Sequence, residues 1–87
     1  MKKSTLFAAL PAYVSTPDGM AIDAENNLIL ACPNYAVPDM PGCILKIDAD
    51  KNIRKWFDVP VSEETGIARP MGIAFGPDGD LYICDNQ

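Results

Sequence analysis

TPDGMAIDAENNLILA (Thr16–Ala31) and RPMGIAFGPDGDLYIC (Arg69–Cys84) align without a gap when the chain is shifted by 53 positions, Thr16 onto Arg69. Pro17/Pro70, Gly19/Gly72, Ala21/Ala74 and Leu28/Leu81 are identical pairs. Met20/Ile73, Ile22/Phe75 and Leu30/Ile83 keep their apolar character. An internal repeat of a few tens of residues points to a solenoid, a propeller or an array. The units inside it read as strands. Met20–Ile22, Leu28–Cys32, Cys43–Ile47 and Ile53–Phe57 are short apolar runs bounded by turn residues, and no stretch carries a sustained 3.6-residue period. Ile44, Lys46 and Asp48 alternate with Leu45 and Ile47, which predicts one wet face for that strand. Turns are expected at Ala24–Asn27, at Asp48–Asn52 and, through the longest loop, at Pro33–Gly42.

Four short antiparallel strands per repeat make the blade of a β-propeller. The fold expected is therefore all-β: a partial propeller, about one and a half blades of four-stranded antiparallel sheet. Residues 16–58 form the first full blade, with Met20–Asp23 innermost and Ile53–Asp58 outermost. Residues 69–87 start the second, and 5–14 supply an outer strand of a preceding blade. The basis for that last assignment is the likeness of Phe7-Ala-Ala-Leu-Pro-Ala to Trp56-Phe-Asp-Val-Pro-Val. The chain would then be a single incomplete domain over 1–87, part of a protein of roughly 250–350 residues.

Composition excludes several function classes. The chain has 87 residues, a net charge of −5 and seven basic residues with no Lys/Arg stripe, so no nucleic-acid partner is expected. Eight prolines and six glycines break the apolar content well below the ~20 residues of a membrane span, and no membrane partner is expected. MKKSTLFAALPAYV imitates a signal peptide, but its apolar run Leu6–Leu10 is shorter than an h-region. Cys32, Cys43 and Cys84 are odd in number, lack a C-x-x-C spacing and sit in apolar runs. They read as buried reduced thiols, which favours a cytoplasmic location. Histidine is absent, so these residues alone assemble no Ser-His-Asp triad, Cys-His pair or His-ligated zinc.

Pro17-Asp-Gly-Met-Ala-Ile-Asp-Ala-Glu-Asn-Asn-Leu-Ile-Leu-Ala resembles a repeat of the gluconolactonase/regucalcin-like six-bladed propellers (the senescence marker protein type). Arg69–Asp85 is also similar to the NHL repeat, a related blade. The resemblance implies a hydrolase of small lactone or sugar-derived substrates dependent on a divalent cation, commonly Ca2+, held in the central channel. It makes Asp18, directly before Gly19, a metal ligand. The competing reading of Asp18 is a cap on the turn before the strand. Met71, opposite Asp18 in the second repeat, brings no side-chain oxygen. The alternative function is a non-catalytic NHL-like propeller that binds a protein or carbohydrate through loops such as Tyr35–Pro41.

Pro-Asp-Gly occurs twice, at Pro17–Gly19 and Pro77–Gly79. The alignment gives the copies different work: Asp18 opens an inner strand, whereas Asp78-Gly79 falls in a hairpin turn opposite Glu25-Asn26. Asp48-Ala-Asp50-Lys-Asn52 has the 1-3-5 spacing of an EF-hand, but Ile53 and Val59 stand where glycine and the bidentate carboxylate are needed. It reads as a hairpin. Asp85 is expected to pin neighbouring loops, and Trp56-Phe57 to pack between blades.

Overall fold

The computed structural model describes residues 8–86. Among them are six strands and no helix: β1 Met20–Ile22, β2 Leu28–Cys32, β3 Cys43–Ile47, β4 Ile53–Asp58, β5 Pro70–Phe75 and β6 Leu81–Asp85. β1-β2-β3-β4 form one antiparallel sheet in sequence order, and β5-β6 form a second. The repeat holds in three dimensions. Met20 pairs with Leu30 and Ile22 with Leu28, while Ile73 pairs with Ile83 and Phe75 with Leu81, so the two inner hairpins share one register.

The three hairpin turns are built alike. Asp23 N donates to Asn27 O, Asp48 N to Asn52 O and Gly76 N to Asp80 O, at 3.0, 3.1 and 2.8 Å. Each turn has one left-handed residue at the same place: Asn26 (φ 67°), Lys51 (φ 67°) and Gly79 (φ 84°). This is a three-residue hairpin loop with its αL residue last. The expected role of Gly79, positive φ in a turn, is met.

β2 and β3 form the floor of the fold, buried on both faces. On one face Ile29, Ala31 and Ile44 join Val59 and Ala68, and β5-β6 covers them with Ile73, Phe75, Leu81 and Ile83. On the other, Leu30, Cys32, Cys43 and Leu45 pack with Ile53, Leu10 and Val14. Fully burying an aliphatic side chain of this kind stabilises by about 1.5–3 kcal/mol. The wet face expected from Ile44, Lys46 and Asp48 is therefore corrected. Ile44 is wholly buried, because the second sheet lies on that face, and only its far end, from Lys46 on, reaches water. The strand expected over 5–14 is met by none in 8–14, where Val14 N bonds back to Pro11 O at 3.1 Å in a turn. Residues 5–7 lie outside the described residues. Phe57 packs between the sheets as expected; Trp56 stays 40% exposed. No helix among the described residues is long and apolar enough to cross a membrane.

Candidate functional site

The two sheets meet through their inner strands. Gly19 N donates to Met71 O at 3.1 Å, and a Cβ at Gly19 would stand 2.5 Å from that same oxygen. Glycine is required there by close approach of another backbone, not by φ. Asp18 lies one residue earlier. Its backbone N donates to Ala31 O at 2.9 Å, and Ala31 N donates to Gly19 O at 2.8 Å, so the ladder with β2 fixes the main chain. The Asp18 carboxylate itself is exposed and accepts no hydrogen bond from another described residue. Beside it runs an apolar cleft of about 320 Å3 lined by Leu10, Met20, Leu28, Leu30 and Ile47.

Asp23, Asp48, Asp58 and Asp85 are engaged. Asp23 Oδ1 accepts from the backbone N of Glu25 and of Asn27 at 3.0 and 2.8 Å, and its Oδ2 accepts from Asn27 Nδ2 at 2.9 Å. Asp48 makes the same three contacts with Asp50 and Asn52. These bonds hold both carboxyls below the ordinary carboxylate value, the Asn27 amide acting most strongly on Asp23 and the Asn52 backbone on Asp48. Asp85 Oδ1 accepts from Arg69 N at 2.7 Å, the pinning role expected of it. Asp58 pairs with Lys55 at 3.0 Å. The Asp48–Asn52 segment is thus a self-clipped turn, as its sequence suggested.

Two residues escaped the sequence reading. Asn34, in the left-handed region (φ 54°), is fully buried. Its Oδ1 accepts from Ser15 N and Thr16 N, and its Nδ2 donates to Tyr13 O and Pro41 O. It ties off the end of β2 as Asp85 ties off β6. Arg69 reaches back to the first sheet. Its guanidinium donates to the carbonyls of Pro33, Pro38, Met40 and Ala68, clamping the Pro33–Gly42 loop. The only advance signal was Asn34 beside a proline, a common turn pair.

Cys32 and Cys43 face each other across β2 and β3 and are buried, while Cys84 is exposed. Cys32 Sγ donates to Leu30 O and Cys43 Sγ accepts from Asn34 Nδ2, each at 3.9 Å. The two thiols side by side hold Cys43 below the ordinary thiol value and, with burial, push Cys32 above it. The expected burial of all three thiols holds for two. Cys84 lies on the open face of β6, where no further sheet covers it among the described residues.

Asp18 has the donor chemistry a hard cation takes, a free carboxylate oxygen. No group of three or more Cys, Asp or Glu residues able to hold a metal converges among the described residues. Calcium takes 6–8 oxygens, so these residues supply one donor of an incomplete set. No protein-family model, characterised protein or solved structure gives a significant match to this chain.

Proposed function

We propose that the chain is about one and a half blades of a β-propeller that hydrolyses small lactones, with Asp18 contributing one oxygen ligand to a divalent cation in the channel. The observation that carries this reading is Asp18 itself, an exposed and unengaged carboxylate at the start of an inner strand, where Asp23, Asp48 and Asp85 instead clip turns and a strand end. A turn-capping role leaves its carboxylate without a partner to cap. The propeller reading is supported by the shared register of the two hairpins and by Gly72. Gly19 touches the next sheet, while Gly72, its repeat equivalent, faces open space where a third sheet would lie. A bound cation would polarise the lactone carbonyl and stabilise the oxyanion; this chain's part is to orient one ligand on a ladder-fixed backbone. The test is hydrolysis of aldonolactones by the protein encoded by the complete gene, with and without EDTA. Loss of turnover in EDTA and in Asp18→Asn and Asp18→Ala is expected. EDTA-insensitive turnover, or full activity in both variants, overturns the reading.

A binding scaffold is the second reading, and the Arg69 clamp favours it. A guanidinium bonded to three carbonyls of one loop preorganises that loop, which presents exposed Tyr35 and Val37. Calcium stabilisation that Asp18→Ala abolishes would count against a scaffold alone.

A further inference from the structure

β4 carries a bulge. Phe57 stands opposite Ile44 and Lys55 opposite Leu45, so Trp56 is the extra residue. In a regular strand Trp56 and Phe57 would point to opposite faces; the bulge re-aims Trp56. Lys46 Nζ sits 4.1 Å from the indole centroid, and the indole meets the Phe57 ring edge-on at 5.3 Å. The same ammonium lies 3.8 Å from Asp23 Oδ2, in a pair only 16% and 8% exposed. Across from these groups stands the β5–β6 turn with Phe75 and Pro77. Together they enclose a cleft of about 470 Å3, within the ~300–1,000 Å3 of small-molecule pockets.

We propose that this cleft binds a neutral polyhydroxylated ring, a pyranose sugar, through Trp56, Phe75 and Pro77 as apolar walls and Asp23, Glu25 and Lys46 as polar rim. The chemistry selects that class by exclusion. An anion meets two carboxylates against one ammonium that Asp23 already neutralises, on a chain of net charge −5. A cation seeking the indole face finds Lys46 seated there. A wholly apolar ligand would strip water from the Asp23–Lys46 pair and return no hydrogen bond. A sugar ring lays its C–H face on the aromatic and proline surfaces, donates hydroxyls to the carboxylates and accepts from the ammonium. The site is separate from Asp18: Asp18 precedes β1, and the cleft opens past the other end of β1 at Asp23. Its failure leaves the lactonase reading untouched, and the reverse holds.

Trp56 is the only tryptophan in the chain, so its emission reports this cleft directly. The 87-residue protein is titrated with glucose, galactose and N-acetylglucosamine, and with glucuronate and glucosamine as anionic and cationic counterparts that keep the pyranose ring. A saturable change in Trp56 emission is expected with at least one neutral sugar at millimolar concentration, and at least about tenfold weaker binding of both charged probes. Lys46→Met should raise the Kd about tenfold through loss of a charge-assisted hydrogen bond. Glu25→Ala, an exposed turn position that tolerates truncation, should raise it about threefold, and Tyr35→Ala, outside the cleft, should leave it unchanged. Circular dichroism checks that Lys46→Met is folded; if it is not, the Glu25→Ala titration decides. No saturable change with any of the three neutral sugars up to about 100 mM overturns the proposal. So does equal or tighter binding of glucuronate or glucosamine, or a Kd that Glu25→Ala does not move.

Discussion

Asn34 shows how much one side chain can organise without leaving a mark in the sequence. It has no exposed surface and joins the segment before β1, the end of β2 and the start of β3 through its two side-chain atoms. Truncating it leaves two part-buried donors and two part-buried acceptors without their partner, at about 1–3 kcal/mol in all, and leaves a β-carbon in a left-handed backbone, about 1 kcal/mol more. Asn34→Ala should therefore cost about 3 kcal/mol, a large share of the roughly 4–13 kcal/mol typical of a chain this size. Asn34→Gly relieves the backbone part alone and should fall about 1 kcal/mol short of that loss. Urea midpoints at unchanged slope measure both; a Gly variant as unstable as the Ala variant would remove the backbone share of the argument. Asn34 was not legible beforehand because its burial is made by Tyr13, Thr16 and Pro41, partners up to 21 residues away. Asp18 was legible in position, since the repeat alignment puts it at the head of an inner strand, but its freedom from partners is a property of the folded surroundings.

The strands were legible as elements, and the faces they present were less so. Period-two alternation in β3 marks Ile44 and Lys46 as one face, and that much is right. What covers this face is the second sheet, and no local pattern records a contact between segments some 30 residues apart. The bulge in β4 is equally silent, because an extra residue changes no letter of the apolar pattern around Trp56. The repeat does forecast one matched contrast. Gly19 and Gly72 are equivalent in sequence, yet a Cβ at Gly19 would meet Met71 O at 2.5 Å and Gly72 Cα at 3.1 Å, while a Cβ at Gly72 meets nothing within 4 Å. Backbone atoms cannot swing aside, so Gly19→Ala must separate the sheets, a strain of about 1–3 kcal/mol. Gly72→Ala should stay within about 0.5 kcal/mol of the parent. Thermal melts of the two variants decide it, and equal losses would mean that the inner strands do not approach as closely as described.

For the molecule as a whole, the repeat announced the two sheets and their common register, whereas the ligand set of a cation site did not follow, since such oxygens converge only in three dimensions. The three-fold use of one hairpin does reach a global property, stability against acid. Asp23 and Asp48 clip two of the turns with the same three hydrogen bonds, and both carboxyls lie below the ordinary value of 3.8. In the unfolded chain they take up protons at a higher pH than in the fold, so acid favours unfolding. The stabilisation is present above the unfolded value and is lost as pH falls through the lowered folded values. The third hairpin supplies the control. Gly76 stands where Asp23 stands in the first repeat, and its turn closes at 2.8 Å without any carboxylate. The Asp23→Gly/Asp48→Gly double variant should therefore still fold, with a lower Tm at pH 7. Its Tm should fall less steeply than that of the parent between about pH 5 and 2, and the two curves should converge at the acid end. A double variant that keeps the parent's full acid slope would place the responsible carboxylates elsewhere.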